Sequence, residues 1–290
     1  MMFKNSIKTA VLLASLGGLI VGVAALLGGG SSTAVMFGLV IALAMVGGSY
    51  WFSDKLALRA ANAQVITEQD HPEFYRMVAD LAQRAQLPMP RVALSPSEQP
   101  NAFATGRNPR TAVVCATTGL LQSLSPNEVR GVMAHELMHV RNRDILIGSV
   151  AAAIATAISS IAQMAMFATM FTGGSNDEDR PNPLAILAMS LLAPIAASLI
   201  QMAVSRSREF EADRSAAELL GSGDSLASAL EKIEILAKRH PMMVAPAQAQ
   251  AYIHNPLAEL HRRSGSGVDI ARLFSTHPAT DERIRRLRSL

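Results

Sequence analysis

Apolar positions fall along this chain in two rhythms. Four stretches, 7–27, 33–52, 145–171 and 183–204, are apolar with few breaks. Elsewhere apolar residues recur between charged ones at helix or strand spacing. At a rise of about 1.5 Å per residue, each long stretch can cross a hydrocarbon core of roughly 30 Å. The first two are joined only by a Gly-Gly-Gly-Ser-Ser link, so they read as a transmembrane hairpin rather than a cleaved leader, despite the basic start at Lys4 and Lys8. The last two form a second pair, weakened by Gln163, Gln201 and scattered Ser and Thr, for which a buried hairpin in a soluble core is the alternative.

The periodic parts predict a compact α+β unit. Residues 72–86 place Phe74, Met77, Val78 and Leu81 on one face of a helix that Pro88 and Pro90 should end. Residues 91–95 and 111–116 read as strands, with 101–106 as an edge strand. Ser125-Pro126-Asn127-Glu128 is a helix start, with Pro in the first turn and Glu placed to complete a capping box, and the helix should run to about Arg143. Further helices are expected over 205–220, 224–239 and 281–290, with 241–267 a Pro/Gly/Ser-punctuated loop region. No repeat of solenoid type appears. The expected organisation is a first hairpin in 1–52, a first catalytic part in 53–144, a second hairpin in 145–204 and a second catalytic part in 205–290.

Composition supports this division. Half of the residues are hydrophobic but only 4% are aromatic and 17% charged, which favours membrane helices over one large soluble core. The net charge of +3 carries no basic stripe with interleaved aromatics, so nucleic acid is not an expected partner. Lys4, Lys8, Lys55, Arg59, Arg141, Arg143, Arg206 and Arg208 instead flank the outer ends of the hairpins, whereas the second hairpin's loop holds Asp177, Glu178 and Asp179 against Arg180. Positive-inside logic places both termini and both catalytic parts in the cytoplasm. The single cysteine, Cys115, excludes an intrachain disulfide and reads as a buried strand residue.

The chemistry centres on His135-Glu136-Leu137-Met138-His139. Residues four apart on a helix share a face, so both imidazoles address one point, and the intervening Glu is near enough to take a proton from a zinc-held water. A catalytic zinc needs a third protein ligand. The best candidate is Glu209 in Arg208-Glu209-Phe210-Glu211-Ala212-Asp213, with Asp213, four residues on, placed to accept the second N–H of a ligating His. The second hairpin would return this segment to the same membrane face. A structural zinc is disfavoured, since such sites commonly use four ligands including Cys.

With two amino-terminal spans, Asn101-Ala102-Phe103-Ala104-Thr105-Gly106, Thr118-Gly119-Leu120-Leu121, the His-Glu-Leu-Met-His motif, two further spans, Ser207 to Asp213, and Ser275-Thr276-His277-Pro278 in this order, the chain resembles the HtpX-type integral-membrane metallopeptidases, relatives of the CAAX prenyl proteases. The resemblance implies four transmembrane helices in two hairpins, plus a cytoplasmic α+β zincin-like domain. It implies one Zn²⁺ per chain on His135, His139 and Glu209, Glu136 as the catalytic carboxylate, and His277 near the site, where it would steady the oxyanion. It also implies that Asn101 and Ala102 hold substrate backbone, and that the enzyme clears misfolded membrane proteins in the bacterial inner membrane. Its partners would be unfolded or membrane-protein substrates and the lipid bilayer. An inactive membrane chaperone or adaptor with a structural metal is the competing expectation.

Overall fold

The computed structural model describes residues 31–145, 206–239 and 278–290, with isolated positions 11, 14, 17, 18, 21, 22, 25 and 253. Most of the span expected over 7–27, the spans over 145–171 and 183–204, and His277 lie outside the described residues.

The first described helix, α1 (Ser32–Trp51), has 20 residues and no charged side chain. Met36, Phe37, Val40 and Leu43 on it are 60–67% exposed. Five of its side chains, at 34, 42, 45, 46 and 49, are outside the description. Among the described residues no helix is long and apolar enough to cross a membrane. A short helix, α2 (Ser53–Ala60), follows after Phe52.

The sheet has four strands, β1 (Gln64–Ile66), β2 (Arg91–Ser95), β3 (Ala102–Thr105) and β4 (Val113–Thr117), in the order β1-β2-β4-β3. β1 and β3 are antiparallel edges around a parallel β2–β4 pair. The three-residue β1 is too short to show a period, and sequence analysis passed over it. The strand expected over 111–116 begins only at Val113, because Asn108 caps a 3₁₀ turn at Pro109–Thr111 with its side-chain oxygen. Cys115 lies fully buried in β4.

α3 (Pro72–Arg84) buries Phe74, Val78 and Leu81, with Met77 partly buried beside them. It ends before the prolines, since the chain reverses at Gln86, which takes a left-handed φ of 56°. α4 (Thr118–Ser123) follows β4, capped by Thr117. α5 (Pro126–Asn142) opens on the expected capping box: Ser125 Oγ accepts the Glu128 amide, and Glu128 Oε2 accepts the Ser125 amide at 2.8 Å.

The remaining helices are α6 (Arg206–Leu220), α7 (Asp224–Arg239) and α8 (Thr280–Leu287). α5 packs against α6, α7, α3 and β3, while α8 packs on α7 and α6. α5 is therefore buried on almost every side. Met133, Leu137 and Met138 are fully enclosed, and each such side chain contributes about 1.5–3 kcal/mol relative to exposure. Two of the close approaches that require glycine seat the helices. A Cβ at Gly131 would meet the Leu226 backbone nitrogen at 2.7 Å, and one at Gly223 would meet the Leu287 carbonyl oxygen at 2.2 Å. The first lets α7 lie against α5, and the second seats the end of α8.

Candidate metal centre

His135 and His139 project from one face of α5 into the junction with α6. Their Nε2 atoms face each other at 3.0 Å and their rings stand nearly perpendicular. Glu209, in the first turn of α6, brings its carboxylate oxygens to 3.7 Å from His135 Nε2 and 3.6 Å from His139 Nε2. One ligand atom from each residue lies within 4.8 Å of the others. A tetrahedral zinc with bonds near 2.0–2.2 Å separates its donors by about 3.4 Å. Two imidazoles and a carboxylate at these spacings fit that ion, and the donor set is the one catalytic zinc uses. The His side chains are 1% and 16% exposed, so the site is walled by protein on the His135 side and more open at His139.

Each imidazole has its own carboxylate behind it. Asp213 Oδ1 lies 2.9 Å from His135 Nδ1, within ion-pair range although out of line for a well-formed hydrogen bond. His139 Nδ1 lies 3.1 Å from Asp144 Oδ2. Such outer carboxylates fix the tautomer and ring orientation of a ligating His. Asp144 reaches His139 because α5 ends abruptly. Arg143 adopts a left-handed φ of 56° at the C-cap, and the chain turns back so that the Asp144 amide reaches the His139 carbonyl at 3.3 Å.

Behind Asp213 stands a group that sequence analysis missed. Arg283 of α8 is 2% exposed and donates two bonds to Asp213, from Nε at 2.9 Å and from Nη2 at 2.7 Å. Its Nη1 lies 3.7 Å from Glu209 Oε2, and its Nη2 3.4 Å from His135 Nε2. In sequence it is one of four arginines between 283 and 288. Packing alone distinguishes it from Arg286, which lies over the Phe210 ring at 3.8 Å, and from Arg288, which pairs with Glu231 at 2.8 Å. Asp144 left a clearer trace, a carboxylate directly beyond the motif helix.

The charges shift the titration of these groups. Burial would raise Asp213, but the Arg283 guanidinium and His135 overcome it and hold the carboxyl at about 2. Burial would lower His139, but Asp144, Glu209 and Glu136 together raise it to about 10. Glu136 is 3% exposed, and burial is the main cause that lifts its carboxyl above the usual range.

Asn101 and Ala102 lie at the start of the edge strand β3, which packs against α5. The Thr117 amide donates to the Asn101 carbonyl at 2.9 Å. In an antiparallel ladder the next residue faces the other way, so Ala102 presents its backbone outward. There its carbonyl accepts the Ile253 amide at 3.1 Å, and the Ile253 side chain is 4% exposed in the main core.

Residues 68–290 match the model of peptidase family M48. Proteins named "Protease HtpX homolog" from Burkholderia mallei (strain SAVP1) and Burkholderia pseudomallei (strain 668) are each 53% identical to this chain over 287 residues, covering 98% of it and 96% of their own length. The crystal structure of S. mikatae Ste24p aligns over 98% of the chain with 18% identity and a TM-score of 0.49, and the chain spans 65% of that protein's length.

Proposed function

The chain belongs to peptidase family M48, and from that premise we propose a zinc endopeptidase of the bacterial inner membrane that cuts unfolded or damaged membrane proteins. It is a metalloprotease. The observation that carries the zinc reading is the convergence of His135, His139 and Glu209 from two separate helices, with Glu136 between the two histidines.

His135, His139 and Glu209 would hold the ion, which when bound acts as a Lewis acid that makes a nearby water a potent nucleophile near neutral pH. Asp213 and Asp144 keep the two imidazoles turned toward it. Glu136 takes the proton of the attacking water and returns it to the leaving amine, the base-then-acid cycle of a positioned carboxyl. The outward edge of β3 at Ala102, with Asn101 before it fastened to Thr117, receives substrate backbone as an added strand, a mode with little sequence preference. The Ile253 amide already bonded to Ala102 competes for that edge. His277 is proposed to steady the developing oxyanion.

His135→Ala and His139→Ala should each lose bound zinc. Glu136→Gln should keep zinc and lose cleavage of an unfolded casein-type substrate by about 10²-fold or more. Cleavage by Glu136→Gln within a few fold of the parent would remove the proton-transfer assignment. Retention of client binding without any turnover in the parent itself would favour a chaperone.

The proposed topology has four spans, with both termini and the metal centre cytoplasmic, supported by the basic flanks of the apolar stretches. In a Cys115→Ala background, Ser31→Cys and Ser175→Cys should react with an impermeant thiol reagent on intact cells, whereas Ser97→Cys and Ser222→Cys should react only after the membrane is opened. Labelling of Ser31→Cys with Ser175→Cys protected would reduce the count to one hairpin.

A further inference from the structure

A cavity of about 680 Å³ opens where the end of α1 meets the sheet, and it shares no residue with the metal centre. One wall is apolar. Ala44, Gly47 and Gly48 of α1 line it, and a Cβ at either glycine would meet nothing within 4 Å, so the glycines leave a slot along the helix. Trp51 and Phe52, 58% and 51% exposed, stand at its mouth.

The other wall is cationic. Lys55, Arg91, Arg107 and Arg110 line it against the single carboxylate of Asp54. Asp54 is engaged by Arg91 in a direct ion pair. The Arg107 guanidinium lies 4.5 Å above the Trp51 ring, and its Nη1 donates to the Trp51 carbonyl at 3.5 Å. The Lys55 ammonium lies 5.5 Å from the Phe52 ring centre. Among the described residues, no carboxylate lies within ion-pair distance of Lys55, Arg107 or Arg110. Three cations therefore border a cavity that is apolar on its helix side and aromatic at its rim.

We propose that this cavity binds the phosphate headgroup of an anionic bilayer phospholipid, with an acyl chain in the slot at Ala44–Gly48. The proposal rests on the reading of α1 as a membrane helix. Aromatic residues and basic side chains at the end of an apolar helix occupy the headgroup level, and a walled cavity suits one headgroup better than a diffuse lipid surface. The site has a structural reach: β3 begins beside Ala102 at the proposed substrate edge and ends at Thr105, two residues before Arg107. A bound headgroup thus holds the far end of the substrate strand at the membrane face.

Trp51 is the sole tryptophan of the chain, so its fluorescence reports this cavity alone. The full chain, reconstituted in lipid vesicles that hold no other protein, is titrated with phosphatidylglycerol or phosphatidylcholine brominated in the upper acyl chain. Brominated phosphatidylglycerol should quench Trp51 at a mole fraction at least fivefold lower, and Arg107→Gln with Arg110→Gln should erase that preference, since each basic side chain near the surface contributes roughly a fivefold gain. The double variant should keep its zinc content and far-UV circular dichroism, which separates lost lipid binding from misfolding. Equal quenching by both lipids leaves α1 in the bilayer and overturns the site. Quenching by neither overturns the membrane reading of α1 and the site with it. Relief of quenching by millimolar inorganic phosphate would assign the cavity to free phosphate and overturn the lipid.

Discussion

The two histidines of the motif sit one helical turn apart, yet they are held by different parts of the molecule. His139 is braced locally: Asp144 lies five residues on and is delivered by a single left-handed residue. His135 is braced from a distance: Asp213 comes from α6, and Arg283 of α8 fastens Asp213 in turn. The local brace is 16% exposed at its imidazole and forms once α5 ends correctly. The distal brace is enclosed, with Arg283, Asp213 and His135 each nearly inaccessible, and it forms only when α6 and α8 have docked. Half of the metal centre is thus a property of one helix and its cap, and the other half a property of the tertiary fold.

The sharpest way to break this contrast is at Arg283. Arg283→Met leaves Asp213 buried without its cation, and removing one partner of such a pair costs about 3–5 kcal/mol. Arg288→Ala removes an exposed pair with Glu231, and such pairs are worth only about 0.2–1 kcal/mol. Urea unfolding of the metal-free protein in detergent should therefore separate the two variants widely. Arg283→Lys should rescue little, because an ammonium cannot reproduce the two-pronged contact. If Arg283→Met proved no less stable than Arg288→Ala, the distal brace would not be a structural element.

pH divides the two braces by sign. Asp213 has its folded value depressed to about 2, so its contribution is complete above the ordinary carboxylate range and is lost as pH falls through 2. His139 has its folded value raised to about 10, so in the metal-free protein its contribution is complete below the ordinary imidazole value and is lost as pH rises through 10. The acid arm of stability belongs to the distal brace and the alkaline arm to the local one. Asp144→Asn should shrink the alkaline arm, since only Glu209 and Glu136 then raise His139, leave the acid arm, and weaken zinc binding by about 10- to 100-fold in a competition assay with a chelator. An unchanged alkaline arm in that variant would detach Asp144 from His139.

What the sequence disclosed follows the same division. α5 was legible from Ser125 to its end because capping box, proline and motif all act within one helix. α7 was legible from Asp224 to Arg239, with bounds as expected. The pairing of Glu209 with the two histidines was readable as a likeness of spacing and topology, and the structure brings the three together. Arg283 was not readable, since four arginines in one short segment look alike until α8 is packed. The end of α3 was legible to within two residues, at Arg84 rather than Gln86, but the left-handed turn at Gln86 that precedes the prolines was not. The cationic cavity also escaped notice. Its basic residues come from α2, β2, the loop after β3 and the 3₁₀ turn, and in sequence Lys55 looked only like a topology signal.

The finest test of the local brace is the residue that delivers it. Arg143 is exposed and is one of three non-glycine residues with positive φ among those described, so its work is conformational. Glycine adopts this conformation without a Cβ penalty and is the usual residue at a helix C-terminus. Arg143→Gly should change stability by no more than about 1 kcal/mol in either direction, because relief of strain and the added freedom of the unfolded chain oppose each other. Zinc affinity should stay within about twofold, since Asp144 keeps its place behind His139. Arg143→Val removes the same charge but resists a left-handed φ, at a cost of about 1–2 kcal/mol that the chain can escape only by opening the turn. Opening the turn withdraws Asp144, and zinc affinity should then fall toward that of Asp144→Asn. If glycine and valine weakened zinc equally, the lost charge of Arg143 would be the cause, and the turn would not be what holds the local brace.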